Sequence, residues 1–85
     1  MATVEEFEAA VARVNSLPKT PSNDSLLQLY GLYKQATAGD VGGKRPGMLD
    51  LRGRAKYDAW AERKGLSAEK ARAAYVELAN RLAKT

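Results

Sequence analysis

Tyr30, Tyr33 and Lys34 stand at i, i+3 and i+4, a spacing that gathers them on one side of a helix. Tyrosine offers a flat face for a base and a hydroxyl for a phosphate; lysine adds a compact positive charge with three donors. Arg52 and Lys56, one helical turn apart, form a second cationic edge. Together these residues suit an anionic ligand that carries an aromatic group. Read as a helix alone, the same cluster could be two core aromatics with Lys34 reaching out to water. Trp60 beside them, and Tyr75 further on, are read as core residues.

What the chain lacks narrows the chemistry. It has no histidine, which removes the commonest general base and most zinc sites, and no cysteine for a disulfide or a thiolate ligand. Its ten acidic residues are scattered over helix-starting and solvent-facing positions and suggest no catalytic pair. No glycine-rich phosphate loop of the G-x-x-x-x-G-K-[ST] kind occurs. The expectation is a binding protein with no catalytic residues, no metal and no cofactor.

The formal charge of +4 is unevenly placed. Eight basic residues (Lys34, Lys44, Arg45, Arg52, Arg54, Lys56, Arg63, Lys64) stand against four acidic ones (Asp40, Asp50, Asp58, Glu62) in the centre. The ends are neutral. A basic centre points to an anionic partner, although a charge run can also be a solvated face.

The elements that must position these residues are four helices. The first runs from Thr3 to about Asn15, opened by a Thr3–Glu6 capping box, with Phe7, Val11 and Val14 as its buried stripe. Pro18 and Pro21 end it. The second runs from Ser22 or Asn23 to Thr37, with Gly39 as its stop. Only Gln28, Gly31 and Gln35 make a clearly polar side. Leu29, Leu32, Tyr33 and Ala36 fill one sector, and Leu26, Leu27, Tyr30 and Lys34 the next. The two span roughly 220°, against a stripe of about 100° that suffices for packing on a core. Either this helix is central, or one edge of the arc faces a ligand.

Residues 38–49 hold four glycines and a proline and show no helical period. So long a loop is often functional, and it allows the helices on either side to run parallel. The third helix is expected after Asp50 as N-cap, ending near Lys64 before Gly65. On its wheel Arg52, Lys56 and Arg63 fall within about 40° of one another, with Arg54 pointing away. The fourth starts at Ser67 and continues to about Lys84, with a stripe of Ala68, Ala71, Tyr75, Leu78, Ala79 and Leu82. At 85 residues the chain has room for one domain and one modest core. Its N-terminus lacks the basic and apolar regions of a signal peptide, and no apolar run is long enough for a membrane span. We expect a cytoplasmic monomer with no stable membrane insertion.

The stretches Leu29-Tyr30-Gly31-Leu32-Tyr33-Lys34-Gln35-Ala36-Thr37-Ala38-Gly39-Asp40 and Arg45-Pro46-Gly47-Met48-Leu49-Asp50 resemble those of the acyl-CoA-binding proteins. So do Gly53-Arg54-Ala55-Lys56-Tyr57-Asp58-Ala59-Trp60, Lys64-Gly65-Leu66-Ser67 and Ala74-Tyr75. The likeness runs along essentially the whole chain, in order. It implies an all-α four-helix bundle of up-down-down-up topology, with the long loop between the second and third helices, and a site for one long-chain acyl-CoA. By the same resemblance Tyr30, Lys34 and Lys56 would hold the ribose 3′-phosphate, and Tyr33 would lie against the adenine. Tyr75 would line the site near the nucleotide or pantetheine, and Arg52 stands where the family often has a ligand-contacting lysine. Leu26, Leu27 and Ala55 would line the acyl groove. Asn15 departs from the family, occupying a position where relatives commonly have a ligand-contacting lysine, and Arg13 lies half a turn away. Tyr57 and Arg54 also depart, standing for a frequent tryptophan and a lysine.

Two readings of other classes compete. A basic helical domain could bind nucleic acid, but phosphate-backbone binding usually needs many spread cations and this chain has one patch. A protein-interaction bundle would bind neither ligand. The expectation is an acyl-CoA ligand and no nucleic acid.

Overall fold

The computed structural model describes residues 2–84. Four helices follow in order: α1 (Val4–Asn15), α2 (Asn23–Ala38), α3 (Leu51–Ala61) and α4 (Ala68–Ala83). Each begins at a side chain that satisfies a free backbone N–H of its first turn. Thr3 Oγ1 accepts from the Glu6 N–H at 3.1 Å, and Glu6 Oε1 accepts from the Thr3 N–H at 3.1 Å, closing the capping box. Ser22, Asp50 and Ser67 cap α2, α3 and α4 in the same sense.

Phe7 and Ala10 of α1, Leu29 and Leu32 of α2, and Tyr75, Leu78 and Ala79 of α4 make the core. None of its residues comes from α3, which has no fully buried residue at all. In space the order is α1, α4, α2, α3, since α4 packs on both α1 and α2, and among the described residues α3 packs on α2 alone. The side-chain pairs fix the directions. Phe7 meets Tyr75 and Arg13 meets Asn80, so α1 and α4 are parallel. Tyr30 meets Lys56 and Lys34 meets Trp60, so α2 and α3 are parallel. Gln35 near the end of α2 bonds the Leu66 carbonyl just before α4, so these two are antiparallel. This is the up-down-down-up bundle.

Two local expectations need correction. The polar side of α2 does not face water: Gly31 and Gln35 are buried. A Cβ at Gly31 would overlap the Ala59 carbonyl, so glycine is what lets the backbones of α2 and α3 meet. Gln35 donates to the Leu66 carbonyl and to Asp40 Oδ1, both at 2.8 Å. Helix α3 also stops earlier than its sequence period suggests. Beyond Ala61 the chain tightens into i→i−3 bonds (Arg63 N–H to Trp60 O, Lys64 N–H to Ala61 O) before Gly65 turns it at φ +91°. Arg63 therefore leaves the helical wheel. It shares a depression with Asp24, Asp58 and Glu62, apart from Arg52 and Lys56.

Candidate functional site

With so little burial, α3 depends on polar anchors from the loop between α2 and α3. Trp60 Nε1 donates to the Gly39 carbonyl at 2.7 Å, and the Tyr57 hydroxyl donates to the Gly43 carbonyl at 3.2 Å. Arg45 grips Asp58 through two parallel bonds of 2.9 and 2.6 Å, the fork geometry that suits guanidinium and carboxylate. That bond holds the Asp58 carboxyl below its ordinary pKa and raises that of Arg45. At the far end the Gly65 N–H and the Gln35 amide both donate to Asp40, which lowers its pKa likewise. The loop is thus a strap along α3, and the glycines there serve its turns.

The strap and the Gly31 contact set α3 in register with α2, and the register places the cations. Tyr30 and Lys34 lie one turn apart on α2; Lys56 and Trp60 lie one turn apart on α3. Lys56 Nζ sits 5.5 Å from the centre of the Tyr30 ring, and Lys34 Nζ sits 4.9 Å from that of Trp60. The pairs are two rungs of a ladder, with the cation on α3 in one and on α2 in the next. A helical pitch of about 5.4 Å separates the rungs. Among the described residues the one ion pair is Arg45–Asp58. Lys34 and Lys56 therefore rest on ring faces, not on carboxylates. A cation so held attracts the ring only weakly and remains available to an anion.

Below these rungs lies an open groove of about 510 Å³ between α2 and α3. Leu26, Leu27, Ala55 and Leu51 give it apolar walls, and Tyr30, Arg52 and Lys56 line it too, with Asn23 at one end. Six of the nine residues singled out from the sequence thus converge on one groove. Lys34 stands on the neighbouring rung.

Tyr33 and Tyr75 sit on the other side of α2, joined through Phe7. The Phe7 ring is stacked on Tyr33 with centroids 6.0 Å apart, and meets Tyr75 edge-on at 5.1 Å. Tyr33 is 40% exposed, so its free surface is open to a flat partner. Tyr75 is buried, as its place in the stripe of α4 suggested, and burial raises its hydroxyl pKa, the nearby Tyr33 adding to the effect. Trp60, read as core, is only half buried and acts as the bridge between loop, α3 and Lys34.

The family model described as acyl CoA binding protein matches residues 4–79. The chain belongs to the acyl-CoA-binding protein family. An acyl-CoA-binding protein homolog of Drosophila melanogaster is 51% identical over 72 residues, which is 85% of this chain and 84% of the fly protein. Homolog 1 of Caenorhabditis elegans is 51% identical over 76 residues, covering 89% and 88%. Among solved structures, the crystal structure of Oryza sativa acyl-CoA-binding protein 2 superposes with a TM-score of 0.90 at 46% identity, covering 94% of this chain and 89% of that one.

Within this family frame the structure adds Glu8 and Arg72, which the sequence reading passed over, and sets them beside Asn15. A depression of about 580 Å³ beside Tyr33 is lined by Asn15 and Glu8 of α1 and by Arg72 of α4. Arg72 Nε is buried and makes no hydrogen bond within the protein. The signal was present: Arg72 lies three residues before Tyr75 and so on an adjoining face. Arg13 is engaged elsewhere, donating to Asn80 of α4, whereas Asn15 does border the depression.

Proposed function

We propose that this protein is a non-catalytic cytoplasmic carrier, monomeric, that binds medium- to long-chain acyl-CoA esters. The acyl chain lies in the groove walled by Leu26, Leu27 and Ala55. The nucleotide 3′-phosphate is held by Lys34, Lys56 and the Tyr30 hydroxyl, and Arg52 adds positive charge at the groove. Tyr33 offers its free ring surface to the adenine, with Tyr75 behind it. The observation that carries this reading is the junction of an apolar groove with two lysines kept on aromatic faces. A phosphate is what such a pair lacks, since a phosphate monoester has about −1.5 to −2 charge at neutral pH. Family membership supports the same ligand: the relatives in fly, nematode and rice are all named for binding acyl-CoA.

Titration with CoA esters of graded length, by calorimetry, tests the proposal. Each methylene buried in the groove contributes ~0.8 kcal/mol, so four more should raise affinity by about two powers of ten until the groove is filled. Equal affinity for the eight-carbon and sixteen-carbon esters would reject the groove. A single phosphorylated ligand also meets few cations, so salt should weaken its binding far less than the ~10³-fold typical of nucleic-acid complexes between 50 and 200 mM.

A further inference from the structure

Two arginines, Arg63 and Arg72, have an Nε that is shut off from solvent and makes no hydrogen bond within the protein. Arg63 lies among Asp24, Asp58 and Glu62, so carboxylates stand close to its charge. Arg72 has less around it. It lines the depression beside Tyr33, where Glu8 is the other charged residue, and among the described residues Arg72 and Glu8 make no ion pair. Glu8 is exposed. The base of the Arg72 side chain is fixed, because Ala71 beside it and Tyr75 one turn later are buried in α4. A buried donor of a charged group is costly to leave unpaired, so one held at the wall of a hollow calls for a partner from outside. Asn15 brings no charge to this depression and Glu8 brings a negative one. Arg72 is therefore the one lining residue able to neutralise an anion there.

We propose that Arg72 is a further ligand-binding residue, which holds the 5′-diphosphate of the CoA nucleotide while the base lies on Tyr33. The inference rests on the acyl-CoA reading of the site. Lys34 and Lys56 stand between α2 and α3, on the rings of Trp60 and Tyr30. Arg72 belongs to α4, and among the described residues α4 does not pack on α3. A phosphate centred on the two lysines is thus not placed to meet Arg72 as well. CoA carries a second anionic group on the same ribose, the 5′-diphosphate, and with the 3′-phosphate at the lysines this is the anion left for Arg72. The chemistry fits: a diphosphate presents paired oxygens, and a guanidinium takes such oxygens with two parallel N–H donors. Tyr33 borders the same depression, so base and diphosphate can be held by neighbouring side chains.

The test titrates dodecanoyl thioesters of CoA, dephospho-CoA, 4′-phosphopantetheine and pantetheine into the full chain by calorimetry. Dephospho-CoA keeps the diphosphate, phosphopantetheine keeps one phosphate of it without ribose or base, and pantetheine keeps none. Arg72→Met retains an apolar stem without the charge. It should weaken binding of the CoA and dephospho-CoA esters by about 10-fold or more, and of the phosphopantetheine ester by a smaller factor. The pantetheine ester should bind unchanged. Arg72→Lys should recover part of the loss, since it restores the charge but not the fork. A loss that persists with dephospho-CoA separates Arg72 from Lys34 and Lys56. The Tm of ligand-free Arg72→Met should be no lower than that of the unmutated chain, because the variant removes an unsatisfied donor. A lower Tm, matched by Glu8→Gln, would make Arg72 a structural partner of Glu8 and overturn the proposal. So would a loss confined to the CoA ester, which would assign Arg72 to the 3′-phosphate, or a loss absent from the phosphopantetheine ester, which would assign it to the base. An equal loss for every thioester would also overturn it. If the unmutated protein bound none of the esters, the carrier reading would fall and this inference with it. If it bound the CoA ester and Arg72→Met bound it as tightly, this inference alone would fall.

Discussion

Lys34 and Lys56 belong to different helices, and each is parked on an aromatic ring of the other's helix. If both hold the 3′-phosphate, their contribution should vanish with that phosphate. Hydrogen bonds to charged groups contribute ~1.5–3 kcal/mol each. Lys34→Ala or Lys56→Ala should therefore weaken acyl-CoA binding by about one to two powers of ten. Neither change should much affect the dephospho-CoA ester, which the unmutated protein should already bind weakly. Calorimetry with both ligands forms a double-mutant cycle in which the phosphate is one partner. Circular dichroism should show both variants helical, because neither lysine belongs to the core. Equal losses for the two esters would mean that the lysines support the site by some other route.

At the scale of the element, α3 is the part with least to hold it. It contributes nothing to the core cluster and depends on α2, the loop strap and the close approach at Gly31. Gly31→Ala should be costly, although alanine is the better helix former, because the obstruction is the Ala59 backbone and not a flexible side chain. Overpacking of this kind costs about 1–3 kcal/mol. We expect faster amide exchange across residues 51–61, near-native exchange in α1 and α4, and weaker acyl-CoA binding. Global unfolding with no local change in exchange would contradict a separately held α3.

The carboxylates on the strap make it sensitive to acid. Asp40 and Asp58 both have pKa values lowered by the folded structure, through Gly65 and Gln35 in one case and Arg45 in the other. A lowered folded pKa gives stability that is present above the unfolded value, about 3.9 for aspartate. It is lost as pH falls from there through the folded value. Exchange of the α3 amides should thus accelerate below about pH 4 before that of the α1–α2–α4 core. Asp58→Asn should leave α3 already looser at pH 7 and reduce the acid-induced acceleration to the part that Asp40 carries.

For the whole molecule, ligand and fold are linked. An acyl-CoA that touches both α2 and α3 binds the folded chain alone and stabilises it by mass action, about 2.7 kcal/mol at 100 times its Kd. For a domain of this size each kcal/mol shifts Tm by about 4–8 °C. Saturating ligand should therefore raise Tm by roughly 10–20 °C. Exchange in α3 should slow more than in α1, because the groove lies between α2 and α3. A large Tm rise with exchange in α3 unchanged would place the ligand elsewhere.

The sequence alone determined the four helices, because their signals are local. Caps at Thr3, Asp50 and Ser67 act within one turn, and the stripe of Tyr75, Leu78 and Ala79 repeats with the helical period. It also marked residues of the groove, since Tyr30 and Lys34 stand one turn apart on one helix and Arg52 and Lys56 one turn apart on another, whereas Tyr33, grouped with them by spacing, lies on the other side of α2. The wide apolar arc of α2 was legible too: the helix is central, and one edge of the arc lines the groove. Tertiary structure decided what depends on the meeting of distant segments. Gln35 looks like a solvent-facing residue until Asp40 and the Leu66 carbonyl satisfy its amide inside the protein. Arg63 follows the period of α3, but the chain there is pulled into a tighter turn with Asp40 bonded to Gly65, and periodicity does not register a contact 25 residues away. The pairing of Lys56 with Tyr30 and of Lys34 with Trp60 likewise required the register between two helices. That register is set by the absence of a side chain at Gly31 and by the strap from Gly39 to Arg45, and no helical wheel contains it.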